Sequence, residues 1–323
     1  MSQAKPCPIC HNPPGPVVFK KESEGALWVR CEGCGLVYKV HERPEPGDSA
    51  DYYRDGKMRE TVPYRYGDSS SATPEAAFEE KYELQWERFL KAKGCLDKAS
   101  SVLEIGCGSG GFLYIAAPNV ERCVGVELDE ELAAFCRTRL KLDVRDKPLN
   151  EIDFGGKEFD LICMFHVLEH FYDPGSFLVE AIKLLKPGGR LAIEVPCFDD
   201  ALVQAFDLKK FQELYFVPHH ELYFTQNSLS RLLGDSGLQF QFSSFNEYGL
   251  ANHLNWLQND SPVKGASRQS GRGYQVTSFK KTPRNVEFVN SLNPWLRRIN
   301  GEYKDILASR GFFDTIFCMA QKG

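Results

Sequence analysis

The sequence predicts an α/β protein, a mostly parallel sheet with helices on both faces, with a small cysteine-bearing module ahead of it. Two observations carry this. From Ser101 to about Gly237 the short apolar runs SVLEIGC, CVGVEL, FDLICMF and RLAIEVP alternate with helical segments, the pattern of strands buried between two helix layers. Ahead of them, Cys7 and Cys10 form one Cys-x2-Cys pair and Cys31 and Cys34 another, with 20 residues between the pairs.

Residues 1–40 hold the two pairs around a short hairpin, with strands expected over 17–20 and 26–30, and are too few to build a core of their own. Residues 41–75 (HERPEPGDSADYY, then VPYRYGDSSSATP) read as an irregular linker or substrate arm. A helix is expected over 74–93, with Thr73 as N-cap and Pro74 at its first position. It opens the core, placed at 76–248. Within the core a helix over 173–185 is expected to end at the Pro187-Gly188-Gly189 turn, which starts the next strand. A helix over 226–234 and the alternating strand LQFQFSSF follow. Residues 249–311 form a long excursion, a lid or dimer contact, with a helix over 284–309. Residues 312–323 return as a last strand, FFDTIFCMA.

With 42% hydrophobic and 26% charged residues, the composition is that of a soluble globular protein. No apolar run reaches the roughly 20 residues that span a bilayer, and the N-terminus lacks a secretory stretch; a cytoplasmic protein with no membrane partner is expected. Eleven cysteines is an odd number. Seven of them, Cys95, Cys107, Cys123, Cys136, Cys163, Cys197 and Cys318, sit in hydrophobic segments as reduced filler. A net charge of -5 disfavours nucleic acid as a partner. Against it, residues 261–284 carry Lys264, Arg268, Arg272, Lys280, Lys281 and Arg284 with no acid, which suits a small anionic ligand or a solvated loop.

The four paired cysteines have the spacing of two knuckles that close a tetrahedral thiolate site. Small residues at Cys31-Glu32-Gly33-Cys34-Gly35 let backbone amides turn toward the sulfurs. A redox Cys-x-x-C needs one pair and normally opens a helix, so structural zinc on Cys7, Cys10, Cys31 and Cys34 is the reading. With all four positions filled by protein, no place is left for a catalytic water.

In Val102-Leu103-Glu104-Ile105-Gly106-Cys107-Gly108-Ser109-Gly110-Gly111 a strand carrying an acid runs into a glycine-rich turn and then a helix. Glycines there permit positive φ and let a ligand lie on the backbone. A dinucleotide site is the rival. Glu104, two residues before Gly106, suits an ammonium rather than a pyrophosphate. Glu127 ends the next strand 21 residues after Gly106, where an acid can accept from both ribose hydroxyls.

Across about Ser101 to Pro196, the motifs LEIGCGSG, GVELDEELAAFCR, FDLICMFHVLEHFYDP and LLKPGGRLAIEVP resemble the class I S-adenosylmethionine (SAM)-dependent methyltransferases. The resemblance implies a Rossmann-like, seven-stranded doubly wound sheet whose last strand is antiparallel, with SAM across the strand carboxyl ends. It implies a cofactor wall of Glu104, Gly106, Cys107, Gly108, Gly110, Glu127, Leu128, Phe165 and His166. Many relatives carry an acid after the third strand that meets the adenine amine. Here Pro148 falls at that place, and Asp146 is the substitute.

Methyl transfer needs the acceptor held on the methyl axis and, where required, a base. Candidates cluster at Phe165-His166-Val167-Leu168-Glu169-His170 and at Pro218-His219-His220-Glu221-Leu222-Tyr223-Phe224-Thr225. The second segment is similar to one in the deoxysugar C-methyltransferases, which also carry a four-cysteine zinc module and a tyrosine-bearing arm ahead of the SAM domain. That similarity implies His220 as the base beside a ketone of a nucleotide-linked sugar, His219 where the family has Glu, and Tyr53 of the arm lining the acceptor pocket. Two departures stand: the His at 219, and the greater length of those relatives. His166 and His170 serve as cofactor wall or catalysts. In some quinone-pathway relatives the Glu-His pair matching Glu169 and His170 lies near magnesium. The expected function is thus a SAM-dependent methyltransferase in sugar biosynthesis with a small acceptor, the basic stretch suiting an anionic one, acting as monomer or homodimer. The alternatives are O- or N-methylation of a quinone-like or natural-product acceptor, a zinc-module RNA methyltransferase, and a binding module that kept the fold.

Overall fold

The computed structural model describes residues 5–22, 25–41, 73–156, 158–261 and 282–323. Tyr53, nearly all of the 41–75 arm, and most of the basic stretch lie outside them.

The central sheet has seven strands: β4 (Ser101–Ile105), β5 (Arg122–Val126), β6 (Asp143–Arg145), β7 (Phe159–Phe165), β8 (Leu185–Pro196), β10 (Gln239–Phe242) and β11 (Thr315–Gln321). Their spatial order is β10-β11-β8-β7-β4-β5-β6. Strands β6, β5, β4, β7 and β8 pair in parallel, while β11 runs antiparallel to both β8 and β10. The order reverses at β4, so the carboxyl ends of β4, β5 and β7 open on one crevice, the switch point where ligands bind in such sheets.

Period-2 alternation builds the two faces. Val102, Leu161, Cys163, Phe165, Ala192 and Phe317 pack on one side with Phe89, Ala92 and Phe112, while Leu103, Ile105, Ile162, Met164, Ile193 and Val195 pack on the other with Phe177, Leu178 and Leu229. The first side is covered by α1 (Pro74–Ala92) and α2 (Gly111–Ala116). Thr73 caps α1 by accepting from the Ala76 amide at 3.2 Å, as expected of an N-cap. Helices α3 (Glu130–Thr138) and α4 (Pro174–Lys183) follow β5 and β7, capped by Asp129 and Asp173.

The Pro187-Gly188-Gly189 turn differs from expectation. Helix α4 already ends at Lys183, and β8 begins before the turn: Phe159 pairs with Leu185, and Leu161 pairs with Arg190. The three residues are a bulge within the strand, with Gly188 at φ 72°. The extra residues let the strand start beside β7 and then regain its register.

After β8 come α5 (Ala201–Gln204), α6 (Lys209–Tyr215), β9 (Leu222–Tyr223) and α7 (Gln226–Asp235). Beyond β10, the excursion contains α8 (Leu250–Asn259), which the sequence reading missed, and α9 (Pro283–Ser309). They hold each other through His253 Nδ1 and the Tyr303 hydroxyl, 2.6 Å apart, and through the Leu250 amide donating to Asn300 Oδ1 at 2.9 Å. The last strand starts at Thr315 rather than Phe312, because Asp314 turns back to accept from the amides of Glu247 and Tyr248.

A second sheet, β1-β2-β3-β9, joins the N-terminal segment to the crossover after β8. β1 (Val17–Lys21) and β2 (Ala26–Arg30) form the expected hairpin. β3 (Val37–His41) was not foreseen, and it pairs with β9 through Val37–Tyr223 and Tyr38–Leu222. Phe19 and Trp28 bury themselves against Phe216 and Tyr223. The segment that cannot form its own core thus shares one with the crossover.

Candidate functional site

The glycine turn after β4 is built on left-handed backbone: φ is 71° at Gly106, 53° at Gly108 and 77° at Gly110. A Cβ at Gly106 would lie 2.7 Å from Val167 Cγ2, and one at Gly110 would lie 2.7 Å from Cys136 Sγ. Neither conformation nor space admits another residue at these two positions. Glu127, just past β5, ties the turn down: its carboxylate accepts from the Gly108 amide at 2.6 Å and from the Asp129 amide at 2.9 Å. Burial raises its carboxyl above the ordinary range despite those two bonds.

Glu104 lies inside β4, 2% exposed, and its Oε2 meets no hydrogen-bond donor among the described residues. Burial pushes its carboxyl well above the usual range, against the pull of Arg88. An orphaned buried acceptor beneath a glycine turn is chemically suited to an ammonium, and the turn, Glu104 and Glu127 together fit an aminoacyl-nucleoside cofactor such as SAM. Cys107 is buried and Leu128 is half-buried behind the same turn. Asp146 is ion-paired with Arg137 of α3 at 3.0 Å, so that carboxylate is already engaged at the edge strand.

The β7 tip carries Phe165 and His166. Phe165 is buried with the Arg88 guanidinium 4.8 Å from its ring centre. His166 is a non-glycine residue at φ 58°, a costly conformation that its surroundings must enforce. Its amide donates to the Glu194 carbonyl at 2.7 Å, and its ring lies between two buried carboxylates. Nδ1 is 3.1 Å from Glu169 Oε1, and Nε2 is 3.3 Å from Glu194 Oε1. Arg88 from α1 donates to that Glu194 oxygen from Nε at 2.9 Å and also from Nη2. Arg88 and Glu194 were not foreseen from sequence; the available signals were a charged residue on the buried stripe of α1 and another inside the run LAIEVP.

His219 and His220 pack directly against the turn that follows this tip, where the Glu221 amide donates to the Glu169 carbonyl at 2.9 Å. His220 is 2% exposed, packed with its ring centre 4.9 Å from those of His170 and His219 and 5.3 Å from that of Tyr223. The His219 carbonyl lies 2.9 Å from His170 Nδ1. The adjoining β9 draws His220 inward, while His219 stays half-buried. Glu169, His170 and His220 each bring a donor atom within 4.8 Å of the others.

At the N-terminus, Cys7, Cys10, Cys31 and Cys34 converge with all four sulfurs within 4.8 Å. Cys7 and Cys34 sulfurs are 3.6 Å apart and those of Cys10 and Cys31 are 3.2 Å apart. A tetrahedron of thiolates 2.3 Å from zinc has edges of about 3.8 Å, so the set fits that ion with a small expansion. The knuckle also braces the crossover: Asn227 donates to the Cys34 carbonyl at 2.8 Å, and the Trp28 indole donates to the His220 carbonyl at 3.3 Å.

A profile of the family described as a methyltransferase domain matches residues 78–241, half of the chain and the whole of the crevice just described. The chain belongs to this methyltransferase domain family. Its sheet order and the glycine turn follow the arrangement expected of the class I members. The chain is 31% identical over 117 residues to a probable S-adenosylmethionine-dependent methyltransferase of Mycolicibacterium smegmatis, over 36% of this chain and 44% of that protein. It is 29% identical over 114 residues to a ubiquinone biosynthesis O-methyltransferase of Bradyrhizobium diazoefficiens, over 34% and 44%. It is 26% identical over 172 residues to a tRNA U34 carboxymethyltransferase of Actinobacillus succinogenes, over 50% and 53%. The matched part spans about half or less of each of these relatives. No helix among the described residues is long and apolar enough to cross a membrane.

Proposed function

We propose that this chain is a SAM-dependent methyltransferase of a small acceptor, leaning to a nucleotide-linked sugar, with a structural zinc ion on Cys7, Cys10, Cys31 and Cys34. The observation that carries the reading is the union of the cysteine sheet with the His220 crossover. The N-terminal segment braces the crossover that packs on the turn after β7, a use that a redox pair or a detached binding module would not explain.

SAM, when bound, supplies a methyl carbon made electrophilic by its sulfonium. The chain's own residues do the rest. The Gly106–Gly110 turn receives the cofactor's backbone, Glu127 accepts from ribose hydroxyls, and Glu104 accepts from the ammonium, which draws its carboxyl back toward the ionised form. His220, fixed by its ring neighbours and the Trp28 contact, is the base that removes the acceptor proton, with His219 beside it. Tyr53 of the arm and the basic stretch at 261–284 belong to the acceptor side, the latter suited to a diphosphate. The excursion at 249–311 chooses the acceptor as a lid or as a dimer contact.

The test is transfer from labelled SAM to a panel of nucleotide-linked keto- and hydroxy-sugars, comparing the wild-type protein with His220→Ala. Methyl on carbon that disappears in the variant supports both substrate class and base. Methyl on oxygen keeps the sugar and removes the enolate chemistry. Transfer to quinols or to RNA, the acceptors named for two of the similar proteins, and to no sugar, would overturn the sugar reading.

A further inference from the structure

The cluster around His166 is placed so that its charge can be worked out. Glu169 approaches from the 3-10 turn Leu168–His170, Glu194 from β8, and Glu247 from the chain after β10. Both Glu169 and Glu194 are fully buried, and His166, Glu194 and Glu247 bring donor atoms within 4.8 Å of one another. Two cations face them from α1: Arg88, bonded to Glu194, and Lys91, whose charge senses Glu194 and Glu247. Glu104 of β4 lies near Arg88, its carboxyl raised by burial. His170 sits on the far side of Glu169. Lys304 of α9 donates to the Glu247 carbonyl at 3.2 Å, so cations from two helices face Glu194 and Glu247, while Glu169 is met by the two histidines; a buried carboxylate without a cationic partner is costly.

We propose that Glu169 and Glu194 hold His166 as an imidazolium, and that this cation, with its ring edge toward the crevice, steadies negative charge forming on the acceptor. The inference rests on the methyltransferase reading and divides the work: proton removal falls to His220, while His166 keeps its proton throughout. Geometry supports it in three ways. Nδ1–H is committed to Glu169. Nε2 is buried 3.3 Å from Glu194 Oε1, without the alignment of a hydrogen bond. The histidine side chain is 22% exposed while both glutamates are at 0%, so among these three only the ring reaches the protein surface. The left-handed backbone at His166, pinned by the Glu194 carbonyl, fixes the ring between the carboxylates. Burial alone would favour the neutral ring, and the two glutamates outweigh it, lifting the imidazole above its ordinary 6.5. Arg88 and Glu194 are therefore positioning residues.

The experiment is a pH titration of the full chain with 15N-labelled histidine, saturated with S-adenosylhomocysteine and needing no acceptor; His166→Asn assigns the signal. Wild type should show imidazolium shifts persisting above the ordinary midpoint, and Glu194→Gln should lower that midpoint by about one unit or more. Glu169→Gln, which leaves the Arg88 pair intact, should lower it as well and guards against a folding failure. With whichever acceptor turns over, kcat should fall on the alkaline side with the wild-type midpoint and move down in both variants, with KM little changed. A neutral His166 at pH 7 in the wild type, or a midpoint indifferent to both glutamates, would overturn the inference while leaving methyl transfer itself untouched.

Discussion

At the scale of single residues, the proposed cofactor site turns on two acids, one under and one beside the glycine turn. Removing Glu127 takes away the anchor of the Gly108 amide and, in the proposed site, the acceptor of the ribose hydroxyls. Bonds to a charged acceptor contribute about 1.5–3 kcal/mol each, so Glu127→Ala should weaken SAM at least tenfold by calorimetry; unchanged affinity would remove Glu127 from the site. Glu104 predicts a proton effect. Its carboxyl is raised by burial, and an ammonium beside it favours ionisation. Binding should therefore release a proton, read as a dependence of the calorimetric heat on buffer ionisation enthalpy, and Glu104→Gln should abolish that dependence. Glu104 and Glu127 were legible in the sequence because strand, turn and spacing are local. The carboxylate cage of His166 was half legible: Glu169 lies three positions on in the same candidate run, while Glu194 reaches the ring from β8, 28 positions on.

At the scale of elements, two attachments dominate. Helix α1 is fastened to the sheet by the buried Arg88–Glu194 pair. Breaking a buried pair from one side leaves an uncompensated charge and costs about 3–5 kcal/mol. Arg88→Met should lower urea stability by that order, more than truncating half-exposed apolar residues on the same helix such as Leu90. The second attachment is β3 on β9. The Lys39 amide donates to the Glu221 carbonyl at 2.9 Å, and Lys39 Nζ donates to the Pro218 carbonyl at 2.7 Å. If zinc organises the knuckle, stripping it with a chelator should speed amide exchange not only at residues 25–41 but also at 216–225; exchange confined to the cysteine segment would refute that coupling. The cysteine spacing announced the knuckle, but a two-residue strand such as β9 has no periodicity to read. Its partner lies some 180 residues away.

At the scale of the whole molecule, the alternating pattern from Ser101 onward specified the sheet because each strand is an apolar run bounded by turns. What it could not specify was the bulge in β8, where the Gly-Gly turn signal reads the same whether it ends a helix or interrupts a strand. The buried ion cluster also gives the molecule a pH window. Glu169 and Glu194 are held below the ordinary 4.5 by His166 and Arg88, against the effect of burial; their contribution is present above 4.5 and is lost as pH falls through their lowered values. His166 is raised above 6.5, so its contribution is complete below 6.5 and fades as pH rises through its folded value. The melting temperature should therefore decline on both flanks, and Glu194→Gln should flatten the alkaline flank.

The central claim is that the crevice at the ends of β4, β5 and β7 binds SAM and presents its methyl group. Titration of the full, zinc-loaded chain with SAM and with S-adenosylhomocysteine, followed by mass analysis of methyl transfer to the acceptor panel, tests it most directly. The account predicts saturable binding of both nucleosides at one site, weakened by Glu127→Ala, with methyl transfer to at least one acceptor. Absence of binding to the folded protein, or binding indifferent to Glu127 and Glu104, would contradict it.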